Sequence, residues 1–590
     1  MSQAPSWRTL IVALLITLLV LLSACGGGSG TPVLRPAYSL SAGAPNPASV
    51  NAGATAASTI TVTPVNAYTG TVTLSCGTPS GGGTPAPTCS FGTNPVVVSG
   101  GAATSTLTLT AANGTPNANY KISVTGSDGQ NAGPSNGAQN VTLTTIGKIQ
   151  HIVVIFQENR TPDNLFHDTN LKGADIANSG VNSSGQTITL APTTLGQDYD
   201  QSHTHLAFTQ MCDLDTSTNT CKMDGADLIQ ITCSKGAMNC PPANPNFMYV
   251  QQSDVQPYFD MAEQYTFGDR MFQTNQGPSF PAHQFIIAGT SEPSNSSPLF
   301  VAENPIGIPN SSADTGCISS NLALETVSVI DQSGNESSTI EPCFDHPSLT
   351  DELNTAGISW RYYAPLAGSI WTAPNAIQHM CVPVTQSDGS VTCTGSDWVN
   401  NVSLQTQQNM APVLTEIAAG QLRQVSWVIP NGPNSDHSGM PTTTGGPSWV
   451  ASIVNAIGNS SYWQNTAIVV VWDDWGGWYD HVPPPQVIDD GTSWGSGYVY
   501  GFRVPLIVIA PYAKAAYISH NQHDFGSILN FIENNFGVTQ MGFADTHASD
   551  DLSDCFNFDQ NAITFKTINA PLKADFFIHD KRSPSGPDDD

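Results

Sequence analysis

The sequence has few charged residues, and positive charge is especially scarce. Asp, Glu, Lys and Arg make up 11% of the 590 residues, with 17 basic against 46 acidic side chains and a formal net charge of −29. This composition argues against a broad basic surface, and so against binding nucleic acid or anionic lipid through one. A phosphate substrate is still compatible with it, because a bound metal ion reverses the sign of the potential locally.

The apolar run near the N-terminus is too short for a comfortable membrane span. It covers residues 10–22, follows Arg8, and leads into Leu-Ser-Ala-Cys25 and a GGGSG segment. This pattern resembles the bacterial lipoprotein signal, in which the cysteine carries the lipid. We expect a signal peptide over 1–25, lipidation of Cys25 and a flexible tether over 26–37, so that the protein is exported and anchored to the cell envelope, periplasmic or at the cell surface. An ordinary signal peptide and a transmembrane anchor are the alternatives.

Zinc-finger spacing is absent among the twelve cysteines. Ten of them fall into close pairs, which is typical of local disulfides formed in an oxidising compartment. Cys555 is left over, and we expect a buried free thiol there because no base is adjacent. The close pairs are Cys76 with Cys89, Cys212 with Cys221, Cys233 with Cys240, Cys317 with Cys343, and Cys381 with Cys393.

Residues 38–147 contain almost no charge and are rich in Thr, Val, Ser, Ala and Gly. Short runs of alternating polar and apolar residues recur there, separated by Gly, Asn and Pro clusters. This alternation predicts an immunoglobulin-like β-sandwich. No catalytic constellation occurs in it, so we expect a spacer, with a glycan-binding or surface-binding module as the alternative.

Residues 148–578 follow a different pattern, in which apolar strand-like runs alternate with helix-like stretches. Such alternation predicts an α/β domain built on a mostly parallel central sheet. The last residues, 579–590, are polar and Pro-containing, and we expect a disordered tail.

Two apolar runs of this domain end in polar residues that suit a metal ion. AIVVVW leads into Asp473 and Asp474, and HIVVIFQ leads into Glu158 and Asn159. Ligands of parallel sheets bind beyond the carboxyl ends of the strands, and adjacent acids repel each other unless a cation holds them. The four residues therefore predict one shared, oxygen-rich site for a divalent ion.

The chain resembles the bacterial phosphoesterase family, which contains phospholipases C and acid phosphatases and belongs to the alkaline-phosphatase-like superfamily. The resemblance covers roughly residues 148–560 and rests on motifs that occur in the family's order. Three departures are Thr161-Pro162 for Ser-Phe, Asp474 where Glu is common, and a nucleophile turn that lacks the Asn of the phospholipase branch. The motifs are ENRTPD (158–163), DYDQSHTH (198–205) with KMDG (222–225), GDRMFQTNQGPSFPAH (268–283), VSWVIPNGPNSDHSGMP (425–441), WDDWGG (472–477) and FRVPLIVIAPYAK (502–514).

The resemblance implies a mechanism as well as a fold. Ser279 would be the nucleophile and form a phosphoserine, while a metal ion on Glu158, Asn159, Asp473 and Asp474 would activate it. Histidines would protonate the leaving oxygen and hold the phosphoryl oxygens. His203 and His437 match the family positions, and His346 is a further candidate. Weaker or supporting candidates are Asn164, Asp480, His481, His520 and His523.

The resemblance leaves several points open. It is compatible with an acid-phosphatase-like monoesterase, which we favour at this stage, and with a phospholipase C that cleaves phospholipid diesters. A surface adhesion or glycan-binding lipoprotein with an inactive enzyme domain is the rival from another class, and a sulfatase lacks support because GPSFP differs from Cys-x-Pro-x-Arg. Oxygen ligands favour Mg, Mn or Ca, while histidine participation would admit Zn or Fe.

Overall fold

The structure is a computed structural model that describes residues 35–586, apart from 131–132, 168–170, 308–313, 321–323, 332–333, 337, 441–443 and 486–499. The expected signal peptide, Cys25 and most of the tether lie outside the described residues. Among the helices that are described, none combines the length and apolar character needed to cross a membrane.

Residues 37–146 form two mostly antiparallel sheets that share one apolar core. One sheet has the order β1-β3-β7-β5 and the other β2-β9-β8-β4-β6. Buried and exposed residues alternate along these strands, so each sheet turns one face to the common core and the other to solvent. The immunoglobulin-like topology stays a prediction. The strands are β1 Ala37–Ala42, β2 Ser49–Asn51, β3 Thr55–Val65, β4 Thr69–Cys76, β5 Thr88–Phe91, β6 Val96–Ser99, β7 Ala103–Thr110, β8 Ala118–Ser127 and β9 Gln139–Ile146.

The remaining described chain is a mixed α/β domain that contains the larger core. Its strands are β10 His151–Gln157, β11 Ser179–Val181, β12 Thr187–Thr189, β13 Ala191–Thr193, β14 Tyr199–Gln201, β15 Leu214–Asp215, β16 Thr220–Cys221, β17 Ile231–Cys233, β18 Met248–Val250, β19 Thr266–Gly268, β20 Met271–Phe272, β21 Leu299–Val301, β22 Val327–Asp331, β23 Ser338–Ile340, β24 Trp360–Ala364, β25 Pro383–Thr385, β26 Val391–Cys393, β27 Val402–Leu404, β28 Val425–Val428, β29 Thr466–Trp472, β30 Leu506–Ile509, β31 Tyr517–Ser519 and β32 His523–Asp524. Its α-helices are α1 Pro162–Leu165, α2 His205–Cys212, α3 Gln252–Gln264, α4 Ser279–Ala288, α5 Leu349–Ala356, α6 Ala373–Ala376, α7 Gln378–Cys381, α8 Ser396–Asn401, α9 Pro412–Ala418, α10 Gly445–Gly458, α11 Phe525–Phe536, α12 Ala544–His547 and α13 Ala574–Ile578.

An eight-stranded sheet with the order β27-β24-β28-β10-β29-β30-β19-β31 runs through this domain. The first five strands in that order pair in parallel, whereas β30 is antiparallel to both of its neighbours. The sheet is therefore mostly parallel, in line with the sequence. Every residue of β28, β29 and β30 is buried, because helices and loops cover both faces.

The five close cysteine pairs are disulfides, as the spacing predicts. Cys555 is a buried free thiol, again as expected. The disulfide between Cys76 and Cys89 joins β4 of one sandwich sheet to β5 of the other. One of these five bonds lies within the sandwich and four lie within the α/β domain, so none of them links the two domains.

The sandwich is docked onto the α/β domain through polar contacts to the end of α11. The backbone N of Thr84 donates to Asn534 Oδ1 at 2.6 Å, and Asn534 Nδ2 donates to the Thr84 carbonyl at 3.1 Å. Asn117 N donates to the carbonyl of Asn535, and Asn117 Nδ2 donates to the carbonyl of Ile149 at 2.7 Å. The sandwich, which we expect to act as a spacer, thus contacts the α/β domain directly.

The described part of the expected C-terminal tail contacts the α/β domain. Arg582 donates to Asn434 Oδ1 at 3.0 Å and pairs with Asp580, while Gly432 N donates to the carbonyl of Ser585. Residues 579–586 therefore lie against the loop that carries His437, and the last four residues are outside the described range.

Candidate active site

The two strands predicted to end in metal ligands are direct neighbours in the sheet. β10 and β29 pair in parallel, with Gln157 opposite Trp472, so Glu158-Asn159 and Asp473-Asp474 leave the same edge side by side. All four side chains are fully buried. Asn159 adopts φ 61°, and a Cβ at Gly476 would lie 2.4 Å from the Asn159 carbonyl oxygen, so this glycine is required for the close approach of the two loops.

The carboxylates of the site are only partly satisfied by the protein. Asp473 Oδ1 accepts from the backbone N of Asn159 at 3.0 Å and of Asp474 at 2.7 Å. Asp473 Oδ2 is buried and has no hydrogen-bond partner among the described residues. Burial, followed by the nearby Asp473 and Asp474, raises the pKa of Glu158 well above its usual range. The site thus brings three buried acidic side chains together, where the charged form of Glu158 is disfavoured unless a cation is bound.

Ser279 faces these carboxylates from the first turn of α4. Its Oγ lies 3.2 Å from Asp474 Oδ2 and 3.4 Å from Glu158 Oε2, so its single proton has two acceptors. The helix begins directly after Pro278, and the backbone N of Phe280 donates to Asn304 Oδ1 at 3.0 Å. A Cβ at Gly277 would lie 1.9 Å from the Ala302 carbonyl oxygen. The segment 302–304 therefore holds the turn that presents the serine.

His283 is a site residue that the sequence interpretation missed. It lies four residues after Ser279, one turn along α4, and its Nε2 is 3.2 Å from Glu158 Oε1 and 3.9 Å from Asp473 Oδ2. Burial lowers the pKa of His283 to about 4, so the ring is neutral at physiological pH. The spacing of Ser279 and His283 could have revealed it, because residues at i and i+4 share one face of a helix.

His203 and His437 meet at the amide group of Asn159. Each ring contacts a backbone carbonyl through Nδ1, that of Gln201 at 2.8 Å and that of Ser438 at 2.7 Å. Neutral rings of this tautomer have Nε2 as an acceptor, and these atoms lie 3.1 Å and 3.0 Å from the Asn159 amide nitrogen. The amide oxygen then lies 3.2 Å from Glu158 Oε2 and 3.0 Å from Asp473 Oδ1.

That arrangement brings three oxygen atoms together, with the NH₂ group of Asn159 turned away from both carboxylates. Reversing the amide would let Asn159 donate to both carboxylates, but both histidines would then have to donate through Nε2 as well as Nδ1. Two imidazolium rings would therefore be needed beside each other. A cation among the oxygens satisfies the first orientation with both histidines neutral.

A second acidic group lies beside His203. Glu303 Oε1 accepts from the backbone N of His205 at 3.0 Å, and His205 Nδ1 bonds to Glu336. Burial, reinforced by Glu336, raises the pKa of Glu303 to about 7. No sequence motif indicated Glu303, because its chain segment comes between the recognised ones.

The other sequence candidates lie in different surroundings. His346 is buried, contacts the Pro347 carbonyl through Nδ1 and packs on Phe344, and it has no hydrogen bond to the site among the described residues. Its Nδ1 thus contacts a neighbouring backbone carbonyl, as the Nδ1 atoms of His203 and His437 do, and the catalytic role expected of His346 stays a prediction. Burial lowers its pKa to about 4.

Asp480, His481 and Asn164 form a framework behind the site. Arg503 pairs with Asp480 at 2.8 Å, and His481 Nδ1 lies 2.7 Å from Asp163 Oδ2. Asn164 Nδ2 donates to the carbonyl of Met248. These residues brace the loops after β10 and β29. His520 bonds to Asp269, and His523 belongs to a separate cluster.

Curated relatives of this chain are bacterial phospholipases C. It is 24% identical over 445 residues to the non-hemolytic phospholipase C of Pseudomonas aeruginosa, which covers 70% of this chain and 57% of that protein. It is 33% identical over 213 residues to phospholipase C A of Mycobacterium tuberculosis, covering 32% of this chain and 39% of that protein. The chain thus spans about half the length of these relatives. Phospholipase C B of the same organism is 24% identical and is covered over 74% of its length.

Solved structures resemble the chain more weakly. A phosphonate monoester hydrolase from Silicibacter pomeroyi matches over 48% of this chain and 71% of its own, at 10% identity and a TM-score of 0.25. The model of the phosphoesterase family matches residues 149–539 of the 590, which include Glu158, Ser279, Asp473 and both histidines at Asn159. This chain belongs to the phosphoesterase family.

Proposed function

We propose that the protein is a metal-dependent hydrolase of phosphoric esters with Ser279 as its nucleophile. One observation carries the proposal: the hydroxyl of a serine at a helix start lies within hydrogen-bond distance of carboxylates that follow two different strands. A structural turn serine needs no such pair of buried, like-charged acceptors. Membership of the phosphoesterase family supports the same chemistry.

The residues present fit a divalent ion. Asp473 Oδ2 is buried without a partner among the described residues, and the oxygen of the Asn159 amide faces two carboxylates. Glu158, Asn159, Asp473 and Asp474 would hold the ion, and His283 adds a nitrogen donor to Glu158 and Asp473. When bound, the ion would supply positive charge for a phosphoryl oxygen and for the serine oxygen. Its identity stays open between hard ions such as Mg, Mn or Ca and, because of His283, Zn or Fe.

The protein side chains divide the remaining work. Asp474 or Glu158 accepts the proton of the Ser279 hydroxyl, whose oxygen attacks phosphorus while the ester oxygen departs on the opposite side. His203 and His437 hold Asn159 in place; to protonate the departing oxygen, one of them would first take up a proton on Nε2, which carries a lone pair in the neutral ring. Water then cleaves the phosphoserine and restores the hydroxyl. Burial of the whole cluster excludes bulk water and strengthens each of these interactions.

We propose phospholipid diesters as the substrate class. The curated relatives are named phospholipases C, which favours this alternative over the acid-phosphatase-like monoesterase that the sequence analysis preferred. The expected signal and lipidated Cys25 would bring the enzyme to the membrane of the cell envelope. The β-sandwich would then fix the height and orientation of the active site, because it is docked on α11.

A substrate panel with a serine variant tests the proposal. Wild type, Ser279→Ala and Ser291→Ala are compared on p-nitrophenyl phosphate, its phosphodiester analogue and phosphatidylcholine, each with several divalent ions. Ser291 is an equally buried serine that donates to the Val301 carbonyl and serves as the control.

We expect the Ser279→Ala variant to lose at least about 10³-fold in kcat on phosphatidylcholine, with the Ser291→Ala variant near wild type. Full activity of Ser279→Ala would refute the nucleophile assignment. Hydrolysis of the monoester alone would refute the phospholipase proposal and restore the acid-phosphatase interpretation. No hydrolysis by wild type with any ion would favour the adhesion or glycan-binding alternative.

A further inference from the structure

A second cluster of metal-binding side chains lies away from the proposed active site. It comprises His523, Asp554 and Cys555, with Ser519 and Asp550 around them. Ser519 ends β31, His523 precedes α11, and the other members come from the segment 550–555. Potential ligand atoms of His523, Asp554 and Cys555 lie within 4.8 Å of one another.

The distances in this cluster match the edges of a tetrahedral site. His523 Nε2 lies 3.5 Å from Asp554 Oδ1, and Asp554 Oδ1 lies 3.5 Å from Cys555 Sγ. Zinc bonds of about 2.0–2.3 Å to nitrogen, oxygen and sulfur put two ligands about 3.3–3.8 Å apart. The nearest further donor is Ser519 Oγ, 3.0 Å from His523 Nε2.

The hydrogen bonds of His523 are incomplete within the protein. The Ser519 hydroxyl donates to Asp554 Oδ2 at 2.5 Å, so it accepts from His523 Nε2. A neutral ring then turns the lone pair of Nδ1 toward Asp550 Oδ1, 3.4 Å away. Both of these atoms are buried without a hydrogen-bond partner among the described residues, and the His523 side chain is 0% exposed.

A cation on Nε2 would remove this conflict. The ring proton would then sit on Nδ1 and face the Asp550 carboxylate, which is the arrangement of carboxylate, histidine and metal that recurs in metalloproteins. We propose that His523, Asp554 and Cys555 bind a divalent ion of the zinc class, with Asp550 orienting the histidine. The combination of imidazole, thiolate and carboxylate suits zinc better than magnesium or calcium.

A serine-hydrolase interpretation of the same residues fails. His523 lies between Ser519 and Asp550, as the histidine of a catalytic triad lies between its serine and its aspartate. However, Ser519 is completely buried and its hydroxyl donates to Asp554. Asp550 and Asp554 are 13% and 15% exposed, which leaves an approach for an ion but none for a substrate. The bound ion would hold the segment 550–555 at the start of α11. This helix packs on α4, and its residue Asn534 accepts a hydrogen bond from the β-sandwich.

Cobalt substitution tests this site independently of the proposed active site. The full-length protein is stripped with a chelator and titrated with Co²⁺ alone, and Cys555→Ser and Asp551→Asn are treated alike. Asp551 lies in the same segment but caps Ser553 and contacts Asn534, so it is the matched control. The active-site cluster contains no cysteine, so thiolate-to-cobalt absorption reports Cys555.

We expect this absorption in wild type and Asp551→Asn and its loss in Cys555→Ser. Zinc content should be higher by about one ion per chain in wild type than in Cys555→Ser. Absence of thiolate-to-cobalt absorption in wild type would overturn the proposal, even if the Cys555→Ser variant fails to fold. Equal zinc content in wild type and a folded Cys555→Ser variant would overturn it as well.

Discussion

The β-sandwich and the α/β domain bury polar groups in opposite ways. Along β7 the exposed residues are mostly threonines while Leu107 and Leu109 face the core, so polarity and burial separate by face, with Ser105 as the buried polar exception on this strand. In the α/β domain every residue of β29 is buried, and the buried stretch continues into Asp473 and Asp474. Burial of like-charged carboxylates beside each other costs stability, so their presence at one sheet edge indicates a site selected for function rather than for folding.

Among the substitutions that test this difference between the domains, Asp474→Asn should have the largest effect on activity. The variant keeps the shape and the contact to the Gly476 N but removes a charge that faces Ser279. We expect kcat for the ester substrate to fall by about 10²–10³-fold, without loss of thermal stability, because repulsion with Glu158 is relieved. Kinetics and melting temperature of the same preparation measure both effects.

Its control is a buried polar residue of the sandwich. Ser58→Ala removes a hydroxyl that donates to the Gly43 carbonyl at 2.6 Å. We expect unchanged kcat and a loss of about 1 kcal/mol in stability. An Asp474→Asn variant that lost stability and kept its activity would show that this buried acid, like Ser58 of the sandwich, serves folding and not catalysis.

A core truncation in the sandwich should affect stability and leave catalysis intact. Leu107 is fully buried between the sheets, so Leu107→Ala should reduce the free energy of unfolding by about 2–5 kcal/mol. Denaturant unfolding gives this value, and kcat measured under native conditions should equal that of wild type. A kcat that fell in step with stability would mean that the sandwich contributes to the active site.

The docking of the two domains should depend on Asn534. Asn534→Ala removes both hydrogen bonds to the Thr84 backbone, which lie at an exposed interface, so we expect a loss of about 1 kcal/mol. Limited proteolysis near residues 146–149 should become faster than in wild type. Asn530→Ala, one helical turn earlier on α11, is the control; equal cleavage of both variants would indicate that these bonds do not hold the sandwich.

The smallest expected effect is a pH-dependent one at His379. Hydrogen bonds to Asp351 and Asp345 raise the pKa of His379 to about 9 from 6.5. Because the folded-state pKa is raised, the stabilisation is complete below pH 6.5 and is lost as the pH rises through about 9. The pair is partly exposed, so we expect about 0.5 kcal/mol between wild type and His379→Gln at low pH. Melting temperatures compared across this range should converge at the alkaline end; a constant difference would contradict the assignment.

Local sequence patterns predicted much of the architecture. The alternating runs of 38–147 and the uninterrupted apolar runs before Glu158 and Asp473 correspond to the two kinds of strand in the structure, and close spacing predicted the five disulfides. These features depend on neighbours within a few residues. The place of Glu303 was beyond this approach, because the residue whose backbone N it accepts from, His205, is 98 positions away in the sequence.

By itself, the sequence determined which residues end the strands, which faces are apolar, and that a serine, three acids and two histidines occur in the order of a phosphoesterase. The tertiary structure decided which of them meet. Parallel pairing of β10 with β29 brings Glu158 and Asp473 together across more than three hundred residues, and the start of α4 brings Ser279 and His283 to the same edge. The physical reason is that strand order and helix docking are settled by burial of the whole core, which no local pattern encodes.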